Sequence, residues 1–136
     1  MALEVPERVV VCIEVPRGSR VKRSANGHID YISPIPCPFN YGSISNLPSD
    51  DGEPLDAVVL GATLPLGDQQ EWKVLGVAHF VDHGLRDDKI VCGTRAASDQ
   101  EVKAVIRFFG RYAKIKSLLS LLLRRGPTRF EGWEPR

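Results

Sequence analysis

Runs of β-branched residues dominate the first two thirds of the chain. Arg8 to Val15, RVVVCIEV, has the composition of a strand. Residues 20–32, RVKRSANGHIDYI, read as a hairpin, with Asn26-Gly27 at the left-handed positions of a tight turn between twisted strands. Three more strands are expected at Leu55 to Leu60 (LDAVVL), Lys73 to Val81 (KVLGVAHFV) and Lys89 to Cys92 (KIVC). Residues 33–54 are broken by prolines and by Gly42 and Gly52, and read as a long ordered loop with at most a short strand. Loops of that length are often functional.

Near Ser98 the period of the apolar positions changes from that of a strand to that of a helix. Val102, Val105, Ile106, Phe109, Tyr112, Leu119 and Leu122 follow helical spacing. Ser98 is placed to cap the helix, and Glu101 three residues later completes a capping box. Arg124 and Arg125 suit the last turn, and Gly126-Pro127 stops it. About five short strands and one helix predict a mainly β (α+β) fold, an OB-like five-stranded Greek-key barrel with a C-terminal helix packed outside. A length of 136 residues suits a single domain, 1–136.

Composition narrows the function classes. Hydrophobic residues at 43% and charged residues at 26% allow a real core. Eighteen Lys and Arg balance seventeen Asp and Glu, so no overall field draws the chain to nucleic acid or to an anionic membrane. No apolar run approaches the ~20 residues that span a bilayer. The start, MALEVPERVVVC, has an acid where a signal peptide carries basic residues. Cys12, Cys37 and Cys92 are odd in number and fit no metal spacing, so they read as free thiols of a reducing, cytoplasmic protein.

The chemistry concentrates in two acidic segments. DDGEPLD (50–56) puts four carboxylates in seven residues, and DHGLRDDK (82–89) puts Asp82 and Asp87 around a Gly turn. Crowded carboxylates raise one another's pKa, and a divalent cation removes that conflict. Magnesium favours one or two carboxylates together with waters and substrate phosphates. Both segments lie at strand ends, so both are expected to face one barrel mouth. By spacing alone they read equally well as solvated acidic turns, because Asp and Gly are common there. Tyr112 likewise reads as helix packing, and Arg20, Lys22 and Arg23 as a solvated strand edge.

Taken in order, IEVP (13–16), Lys22, PFNYG (38–42), DDGEPLD, Gly76-Val77, DHGLRDDK, FFGRY (108–112) and EGW (131–133) resemble the family I soluble inorganic pyrophosphatases. The likeness spans about residues 8–133. DGEPLD together with D-x4-D-x-K is a specific combination, whereas either motif alone is weak. The resemblance implies an OB-like barrel and magnesium-dependent hydrolysis of inorganic pyrophosphate by in-line attack of a metal-activated water. Several magnesium ions, or other divalent ions, would take part. Asp51, Asp56, Asp82 and Asp87 would be metal ligands, and Glu14 an outer acidic residue. Lys22 and Lys89 would bind phosphate oxygens, Tyr41 and Tyr112 would add hydroxyl donors, and Glu53 would take the proton of the attacking water. The implied partner is pyrophosphate, with neither nucleic acid nor membrane, in a chain whose relatives commonly assemble as homo-oligomers.

The chain also departs from the family. Arg23 and Ser24 stand where the family has Tyr-Glu, and Asp30-Tyr31 where it has Asp-Arg. Ala113 replaces the Lys after the helix tyrosine, and Glu53 replaces an Asp. Those losses imply a divergent, slow enzyme. They leave open a degenerate paralogue that binds phosphate or nucleotide without efficient turnover. A nucleic-acid-binding OB module would need aromatic platforms on its strands, and these strands offer few.

Overall fold

The computed structural model describes residues 5–23, 28–32, 36–48, 53–123 and 126–136. Its strands are β1 (Arg8–Val15), β2 (Val21–Arg23), β3 (Ile29–Ile32), β4 (Asn40–Pro48), β5 (Pro54–Val59), β6 (Gln69–Asp82), β7 (Leu85–Arg86), β8 (Lys89–Gly93) and β9 (Arg129–Pro135). Among the described residues one helix, α1 (Asp99–Leu123), precedes β9. The order β1-β4-β5-β8-β6 closes back on β1, giving a five-stranded barrel of the predicted kind. All its pairs are antiparallel except β5 with β8.

Three elements differ from the sequence expectation. Residues 40–48 form a full barrel strand rather than loop, because β1 and β5 flank β4 and pair with its backbone from both sides. Prolines and glycine lower strand propensity, but propensity is weak against ladder bonds on two edges. Gly42 is required there, since a Cβ would overlap the Cys12 carbonyl of β1. The expected hairpin exists as β2 and β3, with Lys22 opposite Tyr31, but it forms a separate two-stranded sheet. Its Asn26-Gly27 turn lies outside the described residues. The third difference is β9, which pairs with β6 from Gly76 to Val81 and was not anticipated. Trp133 of β9 lies over Gly76, where any Cβ would overlap the indole, so the separated GV and EGW motifs form one contact.

Strand alternation builds two cores. Leu55, Ala57 and Val59 of β5, with Ile90 and Cys92 of β8, fill the barrel interior beside Val9, Val11 and Ile13. Val58 and Val91 point the other way, into a second cluster with Phe80 and with Val105, Phe109 and Ala113 of α1. A bulge in β1 between Ile13 and Val15 switches Val15 from the first cluster to the second.

The helix starts as its sequence predicts. Ser98 Oγ accepts from the Glu101 amide at 3.1 Å, and the Ser98 amide donates to Glu101 Oε1 at 3.0 Å. These bonds hold the Glu101 carboxyl below its usual range, the Ser98 backbone contributing most. The helix continues without interruption for 25 residues, and Arg124 and Arg125 lie outside the described residues. Among the described residues no helix is long and apolar enough to cross a membrane.

Candidate active site

The parallel register that sets Ala57 against Ile90 brings the residue before each, Asp56 and Lys89, side by side on the face of the sheet that carries Val58 and Val91. The Lys89 ammonium lies 2.7 Å from Asp56 Oδ2 and 2.8 Å from Asp87 Oδ2, with its side chain only 3% exposed. It also sits 5.2 Å from the Phe80 ring. Burial by itself would discharge this lysine, but the two carboxylates outweigh it and hold the pKa well above the ordinary value. Asp56 shows the converse balance. Burial favours its acid form, yet Lys89 and Lys22 hold the carboxyl below its usual range.

Tyr41 of β4 joins the same group. Its pairing with Val58 makes Asp56 a diagonal neighbour, and Tyr41 Oη donates to Asp56 Oδ2 at 2.7 Å. Burial, reinforced by the Asp56 charge, pushes the phenol well above its ordinary pKa, so it remains a donor at neutral pH. Its neighbour Asn40 is buried and fixes the loops around the strand. Asn40 Oδ1 accepts from the Arg17 and Leu64 amides, and Nδ2 donates to the Val59 and Ala62 carbonyls.

The second acidic segment is a hairpin. Asp82 pairs with Leu85, and His83 and Gly84 between them both have positive φ, 51° and 82°, as a type I′ turn demands. The turn splits the segment's acids among three directions. Asp87 reaches Lys89. Asp88 is buried away from it, accepting from the Phe80 amide at 3.0 Å and lying 3.2 Å from both Arg86 and His79. Asp82 Oδ2 meets the Lys116 ammonium of α1 at 2.7 Å, and its Oδ1 accepts from Thr128 Oγ1 at 3.1 Å. Against the opposing effect of burial, the Lys116 bond holds the Asp82 carboxyl below its usual range.

A cleft opens between this wall and the helix, lined by Lys22, Tyr41 and Tyr112 together with Arg20, Cys37 and Phe108. The Lys22 ammonium is 6.0 Å from the Tyr41 ring. Tyr112 stacks on Phe108, with ring centroids 6.1 Å apart. Asp56, Asp87, Lys89 and Tyr41 thus form one bonded group, and Lys22 and Tyr112 face the adjoining cleft. Glu14 lies half-buried at the β1 bulge, and Glu53 is exposed immediately before β5. Asp51 lies outside the described residues. The group sits on the outer wall of the barrel under α1, not at the mouth expected from strand ends. Alternation is the reason, because Asp56 lies between the inward-facing Leu55 and Ala57.

Sequence reasoning missed Lys116 and Thr128. Lys116 carried a signal, since it follows Tyr112 by one helical turn and so shares its face. Thr128 carried none, because only the fold brings it to Asp82.

Among the described residues no three His, Cys, Asp or Glu side chains gather as a ready metal site. Asp56 and Asp87 nevertheless approach one cation, the Lys89 ammonium, through carboxylate oxygens. Hard oxygen donors around a positive centre are the ligand type that magnesium takes, so these two residues fit it.

A family model described as inorganic pyrophosphatase matches residues 11–118. The chain belongs to the inorganic pyrophosphatase family. It is similar to the inorganic pyrophosphatase of Saccharolobus solfataricus, at 32% identity over 71% of this chain and 60% of the relative. It is also 32% identical to that of Neisseria meningitidis serogroup B, over 88% of this chain and 76% of the relative. The crystal structure of the inorganic pyrophosphatase from Thermus thermophilus superposes with a TM-score of 0.75 at 27% identity, covering 99% of this chain and 86% of that one. The chain therefore spans between about three fifths and nine tenths of the length of these family members.

Proposed function

We propose that this chain hydrolyses inorganic pyrophosphate to two phosphates with magnesium, residues 1–136 working as one cytoplasmic domain that needs neither nucleic acid nor membrane. The observation that carries the reading is the buried Lys89 ammonium between Asp56 and Asp87. Acids, cation and phenol are held together on one wall beside an open cleft, in a family whose named members are pyrophosphatases.

Asp51, Asp56, Asp82 and Asp87 are the residues that would hold magnesium. When bound, it supplies an acidified water and neutralises charge on the leaving phosphate. The protein's own groups do the rest. Lys89, kept charged by its carboxylates, and Lys22 attract phosphate oxygens. Tyr41, kept protonated, donates a hydrogen bond, and Tyr112 offers a second hydroxyl at the cleft. Glu53 accepts the proton of the attacking water, and Glu14 adds outer negative charge.

Phosphate release from pyrophosphate, with and without magnesium, tests this reading. Asp56→Asn should abolish turnover, because an amide is a poorer and uncharged ligand whose substitution costs several kcal/mol of transition-state stabilisation, of order a thousandfold or more in rate. Activity within about threefold of the parent would sink the metal assignment. One observation favours a second reading, a paralogue that binds phosphate without efficient turnover. Ala113 is 6% exposed and packed into the second core, so the family's lysine is replaced by a core residue. Phosphate binding without product release would select that reading.

A further inference from the structure

The helix that lost a cation at Ala113 presents another one turn along. Of the described basic residues on α1, Lys103, Arg107, Arg111 and Lys114 are exposed, whereas Lys116 is half-buried. Lys116 lies four residues after Tyr112, about 40° around the helix and one turn on, so it shares the tyrosine's face. Its ammonium is 5.3 Å from the Tyr112 ring, and Tyr112 lines the cleft. Lys114, next to the substituted position in sequence, points away into solvent.

The partner of Lys116 is informative. Asp82 Oδ2 holds the ammonium at 2.7 Å, and Asp82 is one of the acids the proposed function assigns to magnesium. An ammonium and a divalent ion on the same carboxylate oxygen repel each other, so the lysine must leave when the ion arrives. Asp82 has a second partner besides the lysine, because Thr128 Oγ1 donates to its Oδ1 at 3.1 Å. The released side chain is a four-carbon stem with a compact charge beside an open cleft. A phosphate oxygen there offers it a new partner of the same charge as the one it lost.

We propose that Lys116 is a substrate-phosphate cation of this chain and that Asp82 is its resting counter-ion, released when the acid takes a metal ion. The inference rests on the pyrophosphatase reading, but it concerns binding and is tested without turnover. Isothermal titration of the intact protein would measure magnesium affinity, and then inorganic phosphate affinity in saturating magnesium. Lys116→Met should raise magnesium affinity about threefold to tenfold, because Asp82 no longer has a competing partner. It should lower phosphate affinity about tenfold or more, as loss of a charge-assisted hydrogen bond does. Lys116→Arg should keep phosphate affinity near that of the parent.

Phosphate affinity within twofold of the parent in a folded Lys116→Met protein would make Lys116 a mere pin between helix and hairpin, and the proposal would fall. Should that variant not fold, lysine labelled with 13C at Cε in the parent, assigned by Lys116→Arg, takes its place. Phosphate must then move the Lys116 signal, and an unmoved signal overturns the proposal. A parent protein that binds no phosphate overturns it too. A parent that shows these affinities yet releases no product keeps the proposal and removes the hydrolysis reading instead.

Discussion

Leu55, Ala57 and Val59 of β5 point into the barrel, while Asp56 and Val58 of the same strand point under the helix. On β8, Ile90 and Cys92 point in, and Lys89 and Val91 point out. The interior is apolar except at buried Asn40, which lies opposite Val59 and has both its amide oxygen and its amide nitrogen bonded. The outer wall mixes Phe80, Val58 and Val91 with a buried lysine, two carboxylates and a phenol. Neighbouring residues of one strand therefore go to opposite places, an apolar interior and a polar group under the helix. A slip of one residue between β5 and β8 would bury Asp56 in the barrel and destroy both, so the apolar face pins the geometry of the polar one.

Lys89 is where the polar face is most vulnerable. Lys89→Met should lose about 3–5 kcal/mol of unfolding free energy in metal-free buffer, because two buried carboxylates are left without their cation. Magnesium should restore part of that loss. Denaturant unfolding in chelator and in magnesium measures both, and equal loss under the two conditions would deny that the ion replaces the lysine's charge.

One residue along, Ile90→Ala tests the interior. The cavity should cost about 2–5 kcal/mol, with no recovery on adding magnesium. Recovery there would show that the two faces are not separate. Glu53→Gln probes the functional side without the packing. It should lower turnover about a hundredfold with magnesium affinity nearly unchanged, as a proton acceptor rather than a ligand would. A collapse of magnesium affinity, with turnover surviving at saturating metal, would make Glu53 a ligand.

The buried thiols report on both faces. Burial pushes Cys37 up to about 11 and Cys92 up to about 12, so both stay protonated at pH 8. Iodoacetamide at that pH should label half-buried Cys12 at least about tenfold faster than either. Because both values are raised, the stability they contribute is fully present below the ordinary thiol pKa of 9.0 and is lost as pH climbs toward about 11 for Cys37 and about 12 for Cys92. Equal labelling of all three cysteines at pH 8 would show that both the wall under the helix, which holds Cys37, and the barrel interior, which holds Cys92, open readily.

Much of the architecture was legible from local pattern. The first strand, the hairpin and the capped helix each carry a short-range signal in turn residues, β-branched runs or a capping box. The strand at Asn40–Pro48 did not, because its stability comes from β1 and β5 on either side rather than from its own residues. Strand β9 was missed for a related reason, since its anchor is Trp133 over Gly76, a contact between distant segments. In the site, Asp56, Asp87, Lys89 and Tyr41 were named from motifs and stand bonded together. Asp82 was named alongside them, yet it pairs with Lys116, which no motif marked.

Local sequence set the first strand, the hairpin strands, β5, β6 and β8, the helix start, and which acids, lysines and tyrosines are candidates for the site. Those properties are local, set by alternation, propensity and capping within a few residues. Tertiary contacts alone put the candidate site on the outer wall and joined one buried lysine to two carboxylates. They also placed Lys116 against Asp82. These depend on register between strands and on where a helix docks, and such contacts join residues tens of positions apart that no local pattern relates.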